Sequence, residues 1–366
     1  MVPAAEPIDD AMTIIDRYVI VTLLRHFGIA LAVLLVVFTV VSLTEELRLP
    51  SPTYGVGEAL WFVLGTLPSQ AYELFPSAAV LGAMTGLGQM ASDHEIVALE
   101  AAGVSPQRLA AAVLAAALLL GLIGAALGEG IAAPISRQAH TQRALAVSGG
   151  RTLSTSGFWM RDGTRLINVG GVHSDGRLGE IYEFDVVPGQ ELRRIVHARA
   201  AVPADGGWTL AEVTDTVIRS DGAATSRHDT QAWAAPIDGT RLYALWRQPQ
   251  ELSLAELSRV IRALRAEGQQ PHAHEIAFWR RVVAPLATIA MVLLAMPLAL
   301  PSGRAVRRGE RIVVGVVLGV GFQLFSQIIL DLGLVAGVNA PLTALAPIAV
   351  ILAVGAVLFR RAAGPR

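Results

Sequence analysis

Apolar residues in this chain fall in long runs, grouped three and three around a region of different texture. The first run covers residues 27–43, behind Ile14-Ile15-Asp16-Arg17-Tyr18 and with Arg25 and His26 at its start. It lies near the lower limit for crossing a hydrocarbon core of about 30 Å, and its flanking turns extend it. Residues 56–90 are too long and, at Pro68-Ser69-Gln70 and Tyr72-Glu73, too polar for one straight span. The pattern predicts a long, proline-bent helix, part of which stands above the bilayer or lines a cavity. Gly82, Gly86 and Gly88 give its other half a small-residue packing face. Residues 109–131 form a third span ending at Glu129, Pro134 and Arg137, and residues 276–300, 312–335 and 342–359 form the last three.

Residues 148–248 contain no such run. Short β-rich stretches at 166–172, 179–187, 195–202 and 208–218 alternate with turn clusters such as Arg161-Asp162-Gly163 and Ser174-Asp175-Gly176. That spacing predicts an all-β sandwich or jelly roll. Residues 252–266 then place Leu254, Leu257, Ile261 and Leu264 at helical spacing, an amphipathic connector. The expected architecture is an α-helical membrane protein with six transmembrane helices, three plus three, and an inserted periplasmic all-β jelly-roll-like domain. Residues 1–136 hold a tail expected to be disordered and three spans, 137–250 the β domain, 251–275 the connecting helix and 276–366 the last three spans. Arginines at 17 and 25, in the turn between the fourth and fifth spans (Arg304, Arg307, Arg308, with Arg311 just beyond) and at 360, 361 and 366 put both termini in the cytoplasm. Arg280 and Arg281 break that rule beside the translocated domain, where it weakens.

Between the second and third spans lies SDHEIVALEAAG, residues 92–103. Ser92 and Glu95 have capping-box spacing, Gly103 suits the residue past a helix end, and Ser105-Pro106 opens the next helix. A short, independently capped helix with Asp93, His94 and Glu95 at its positive end, and with Ile96, Val97 and Leu99 to bury, is a docking element.

The chain is 53% apolar and only 16% charged, as a membrane protein should be, and its formal net charge of -1 offers nothing to nucleic acid. It has no cysteine, which excludes disulfides and thiolate chemistry. Every basic side chain besides histidine is arginine, and without a lysine no Walker A motif can hold phosphates. The first apolar run is too long for a cleavable signal sequence. His94-Glu95 and His274-Glu275 lack the second histidine of a zinc-protease motif, so no metal, cofactor or enzymatic chemistry is expected. Arg48, Arg137 and Arg143 fall at span ends, where snorkelling anchors are the common use and a phosphate-binding rim the sharper one. Asp331, inside the fifth span, must face protein or water.

The stretch LPSQAYELFPSAAVLGAMTGLGQMASDHEIVALEAAG, residues 67–103, resembles the second span and coupling helix of the LptF/LptG permeases, which extract lipopolysaccharide from the inner membrane of Gram-negative bacteria. Asp16-Arg17-Tyr18, Gly128-Glu129 with Pro134, and Gly149-Gly150 to Thr155 are similar too, and Gly157–Asp162 with Gly163 resembles the LptG branch. The resemblance implies an LptF-like second permease, an LptB-like ATPase dimer that binds the ATP, an LptC-like periplasmic bridge protein, and lipopolysaccharide as cargo among membrane lipids. By position Glu95 matches the acidic residue that meets a basic residue of the ATPase, flanked by Asp93, His94, Ile96 and Leu99. Arg48 and Arg143 match positions that meet phosphates, Arg137 is a further candidate from its place at a span end, and Leu74 and Phe75 would face acyl chains. Ser69 departs from relatives that carry a basic residue there, and Ser42 and Thr44 supply no charge, which leaves the strength of phosphate recognition open. The alternatives are a membrane-tethered periplasmic scaffold without transport, or a lipoprotein-releasing type of permease, which usually inserts its soluble domain after the first span.

Overall fold

The structure, a computed structural model, describes residues 8–49, 53–149, 152–154, 157–173, 175–187, 191–204, 207–219, 222–234, 249–266, 269–299 and 308–363. Among them, six helices are long and apolar enough to cross a membrane, as the six apolar runs predict. They are α1 (Ile8–Glu46), α2 (Val56–Ser92), α4 (Pro106–Leu127) continued by α5 (Ala133–Val147), α7 (His272–Ala299), α8 (Arg308–Ala336) and α9 (Ala340–Ala363). The short α3 (Glu95–Ala101) and the amphipathic α6 (Leu254–Ala266) complete the helices. Arg304, Arg307 and Arg366 lie outside the described residues.

α2 is one helix of 37 residues with Pro68 and Pro76 inside it. At 1.5 Å per residue it is about 55 Å long, well beyond the hydrocarbon core, so its polar part has room outside lipid. The third span is longer than the sequence pattern suggests, because the chain stays helical to Val147. A π-helical turn, Gly128–Ala132, joins α4 to α5. It shifts the hydrogen-bond ladder just ahead of Pro134, whose missing N–H then falls in a first helical turn, where it costs little.

Contacts divide the chain into two compact units. The first comprises Met1–Ser42, Thr66–Ile135 and Ser253–Arg366. Its core joins Leu23 and Phe27 of α1 to Phe75, Met84 and Leu87 of α2, Val113 and Leu120 of α4 and Met291 of α7. Small residues set the spacing: a Cβ on Gly82 would lie 2.6 Å from the backbone of Phe27, so α1 and α2 touch main chain to side-chain-free surface. The apolar window of α2 is 83% buried and that of α1 only 6%, so α2 is the post of the bundle and α1 lies on its outside. α6 buries Leu257, Ile261 and Leu264 as its spacing predicts, and a true capping box starts it. The Ser253 N–H donates to Glu256 Oε2 at 2.9 Å, and the Glu256 N–H to Ser253 Oγ at 3.3 Å.

The second unit comprises Leu43–Gly65 and Ser136–Leu252. Its main sheet is antiparallel, in the order β2 (Phe158–Asp162), β3 (Arg165–Val169), β5 (Ile181–Val187), β6 (Glu191–Ala204), β7 (Gly207–Arg219), β8 (Gly222–Trp233). A separate pair joins β1 (Thr152–Ser154) to β4 (Val172–His173). Ile167, Val169, Leu178, Ile181, Val196, Leu210 and Val213 form the core. All four sequence-predicted stretches contain strand, and β1, β2 and β8 are additions; β8 reads GAATSRHDTQAW and is exposed along nearly its whole length. With neither face apolar, it carries no alternation to detect; its backbone pairing with β7 alone makes it a strand. Trp233 at its end is buried and donates its indole N–H to Glu183 at 2.8 Å.

Across β6 and β7, Arg194 binds Asp215 with two hydrogen bonds, 2.9 and 2.6 Å. These bonds hold the Asp215 carboxyl below the usual carboxylate range, against the upward push of its burial. A depressed carboxylate stabilises the fold fully above its unfolded pKa of about 4 and loses that contribution as pH falls through the folded value. Solvent at the half-exposed Arg194 screens the pair, so Asp215→Asn should cost about 1–2 kcal/mol at neutral pH and nothing in strong acid. Thermal unfolding of the full chain in detergent, scanned against pH, measures both; a variant as stable as wild type at pH 7 would contradict it.

Candidate functional site

A helix does form between the second and third spans, but its start is built differently. α3 begins at Glu95, after a tight turn at Asp93 and His94. Ser92 still belongs to α2, where its hydroxyl donates back to the Gly88 carbonyl at 2.8 Å, so it does not cap α3. His94 takes the cap position in a left-handed conformation, φ 57°, with no side-chain cap bond. Glu95, freed from the box, accepts the Tyr18 hydroxyl of α1 at 2.7 Å. The far end agrees with the sequence. Gly103 has φ +92°, and the bonds Gly103 N–H to Glu100 and Val104 N–H to Leu99, both 3.0 Å, make a Schellman cap. Ser105 then caps α4 by accepting the Arg108 N–H, with Pro106 at its first position.

Burial turns the predicted contact set around. Ile96 is 6% exposed and Leu99 half-buried, and both pack into the chain's own helical core. They anchor α3 and are not offered to a partner as the sequence suggested; with an apolar residue on either side of it, a seven-residue helix has no phase that sequence alone can fix. Val97 is the outward apolar residue, 56% exposed, beside exposed Ala98, Ala101 and Ala102. Asp93, His94 and Glu100 are exposed around it, and Glu95 is half-buried. The surface on offer is thus a small apolar patch bordered by acids.

Three polar ties missed by pattern reasoning hold this segment. Besides Tyr18–Glu95, Arg108 Nη2 reaches Asp16 Oδ2 at 2.6 Å, so both polar ends of the Asp16-Arg17-Tyr18 run serve the docking end. Arg311, expected as one more loop arginine, is buried and donates to the Gly88 carbonyl and to Ser92 Oγ. It directly precedes the apolar run, like the turn arginines before it, so nothing local in the sequence sets it apart.

The arginines expected to meet phosphates differ from one another. Arg48 is exposed in the turn after α1. Arg143 is committed: its Nε donates to Glu46 Oε2 at 2.7 Å, and its guanidinium lies 5.0 Å from the centre of the Phe62 ring. Glu46 Oε2 also accepts the Tyr54 hydroxyl at 2.9 Å. Burial and that bond hold the Tyr54 hydroxyl protonated, well above its usual range. Arg137 is half-buried on α5. Beside Arg143 an open cleft of about 260 Å³ is lined by Glu58, Trp61, Phe62 and Gln142. Leu74 and Phe75, expected to face acyl chains, are 4% and 3% exposed inside the helical unit. The Phe75 ring lies 4.8 Å from that of Phe27, tilted by 58°, and fills the space over Gly124, where a Cβ would lie 2.9 Å from it. The helix phase that exposes Glu73 turns these two inward. Among the described residues no three His, Cys, Asp or Glu side chains converge as metal ligands.

A family model described as lipopolysaccharide export system permease LptF/LptG matches residues 17–361. The chain belongs to the LptF/LptG family. It is 32% identical over 337 residues to the lipopolysaccharide export system permease protein LptG of Haemophilus influenzae, covering 91% of this chain and 94% of that protein. To the protein of the same name from Escherichia coli K12 it is 28% identical over 339 residues, with the same coverage. Six apolar helices interrupted after the third by an antiparallel β unit are accordingly an LptF/LptG arrangement, and the function carried by the family is lipopolysaccharide export as a permease subunit.

Within this LptF/LptG chain the two arginines that break the charge rule are both paired. Arg280 meets Glu73 at 3.1 Å and Arg281 meets Glu129 at 2.9 Å. Glu129 stands on the π-helical turn and also accepts the Leu254 N–H, 2.9 Å, at the start of α6. Asp331 is exposed on α8, among Ile328, Leu332 and Val335.

Tyr18→Phe removes a single oxygen, the hydroxyl that ties α1 to Glu95 of α3. The loss of one exposed hydrogen bond to a carboxylate should weaken local stability by about 1 kcal/mol, raising amide exchange in residues 96–102 about fivefold. Hydrogen-exchange mass spectrometry on the full chain checks this; unchanged exchange would mean that Ile96 and Leu99 alone hold the helix.

Proposed function

We propose that this chain is the LptG-like half of a lipopolysaccharide exporter of the Gram-negative inner membrane, with both termini cytoplasmic and its β unit periplasmic. It pairs with an LptF-like permease, takes its energy from an LptB-like ATPase dimer and passes lipopolysaccharide towards an LptC-like bridge. The observation that carries the motor assignment is α3: a separately capped helix whose outward face, Val97 with Ala98, Ala101 and Ala102 between Asp93 and Glu100, is unoccupied by the chain's own core. Such a patch suits a partner with a shallow apolar cleft and a basic edge. The absence of lysine supports the same reading, because a chain without a P-loop needs an external source of hydrolysis.

Glu95 is the acid expected to meet the ATPase, and Tyr18 presents it: the hydroxyl occupies one side of the carboxylate and fixes its direction. Arg48 is the cation best placed for lipid phosphate, since it is exposed, whereas Arg143 must leave Glu46 to bind one.

Two measurements test this. In proteoliposomes with both permeases and the ATPase, Glu95→Ala should weaken ATPase docking by about 2 kcal/mol or more and abolish ATP-driven lipid release, while the chain still inserts. Transport at the wild-type rate would remove Glu95 from the coupling contact. Arg48→Glu should lower photocrosslinking to lipopolysaccharide about fivefold, as expected for about 1 kcal/mol at an exposed charge. Equal crosslinking in this variant and wild type would make Arg48 a membrane anchor.

A further inference from the structure

We infer that Arg311 is the latch through which movement of the docking segment is delivered to α8, an inference that rests on the function proposed above. Arg311 stands in the first turn of α8 and is 5% exposed. Its Nη1 donates to the Gly88 carbonyl and, at 2.9 Å, to Ser92 Oγ. Ser92 in turn donates to the same Gly88 carbonyl, so the three groups close on one another. Both oxygens belong to the last turn of α2, and only the Asp93–His94 turn separates that turn from α3.

Three physical features make this contact rigid. The guanidinium sits at the negative end of a 37-residue helix, where a cation is favoured by the helix dipole. It is buried, and its Nε finds no acceptor among the described residues, so withdrawing Nη1 would leave a buried charge with still less compensation. Close approach is built in, because a Cβ on Gly88 would lie 2.7 Å from Arg311 Cδ and 2.9 Å from Nη1. The end of α2 and the start of α8 therefore move as one piece.

The destination of that movement matters. α1 and α8 are the two spans whose apolar windows are least buried, 6% and 17%, and both are tied to the docking end. α1 is tied by Tyr18–Glu95 and Asp16–Arg108, and α8 by Arg311. A load on α3 is thus passed to the spans with open faces, and the close-packed interior of α2, α4 and α7 does not have to deform. Arg311 is a positioning residue: it touches neither the ATPase nor the lipid.

The test uses the whole transporter in proteoliposomes and reads lipid released per ATP hydrolysed. Arg311→Gln should leave ATPase docking and hydrolysis in place, because Glu95 and Val97 are untouched, while lipid released per ATP falls about tenfold, a typical size for coupling between two sites. Arg311→Lys, which keeps the charge at the helix end, should recover part of the ratio. If Arg311→Gln does not insert, Gly88→Ala decides, since it displaces the guanidinium and keeps the charge; it should lose the same ratio. A wild-type ratio in either variant overturns the latch. Because the chain has no cysteine, spin labels can be placed directly at Gln89→Cys, exposed near the end of α2, and at Ile312→Cys, near the start of α8. Their separation should stay constant between nucleotide states, and a separation that changes with nucleotide overturns the latch as well. If the unmodified transporter releases no lipopolysaccharide with ATP, it is the proposed function that fails; if it does and Arg311→Gln keeps its ratio, only the latch fails.

Discussion

A guanidinium placed inside a bundle of membrane helices keeps its charge and must find oxygen, because hydrocarbon cannot solvate it. This requirement organises the helical part of the chain. Arg311 joins α8 to the end of α2, Arg108 joins α4 to α1, and Arg281 joins α7 to the π-helical turn. The apolar packing between these helices mixes alanine with leucine, valine, methionine and phenylalanine, and such contacts are non-directional. The arginine contacts supply the direction. Arginine suits the task better than lysine would, since its planar fork can hold two oxygens at once.

The same requirement explains which parts were legible in the sequence. Spans could be read because lipid imposes a length and a composition on each of them. Gly103 and Ser105-Pro106 could be read because a left-handed cap and a proline at a first turn depend on local sterics alone. Polar pairing could not, because partners such as Tyr18 and Glu95 lie 77 residues apart and no periodicity links them. β8 escaped for a related reason: its strand character resides in hydrogen bonds to β7 and leaves no trace in its side chains.

Two instances of one motif show where local signals stop being sufficient. Ser92–Glu95 and Ser253–Glu256 have the same spacing, yet only the second forms a capping box. Ser253 lies between a 3-10 turn, Pro249–Glu251, and α6, and its hydroxyl turns forward to donate to Glu256 Oε2 at 2.9 Å. Ser92 ends a long helix and has the Gly88 carbonyl four residues back, and Arg311 then takes its remaining lone pair. Glu95 accepts the Tyr18 hydroxyl instead. A capping box is therefore one use of two side chains among several, and the surroundings choose between them.

Arg143 carries the same lesson to the second unit. As a residue type at a span end it reads as a free cation awaiting a phosphate, but Glu46 already neutralises it and shares its carboxylate with Tyr54. Any phosphate reaching Arg143 would have to displace Glu46 and leave that carboxylate, 12% exposed, with the tyrosine alone. Recognition there is an exchange of anions, whose net gain is the difference between two similar charge-assisted bonds and so is small. Arg48 pays no such exchange, although as an exposed charge it is screened by solvent and salt. Strong retention of an anionic headgroup by either arginine alone is thus not what this geometry favours. If the function proposed above is right, these arginines would give a weak, replaceable hold, as release of the lipid at each cycle requires.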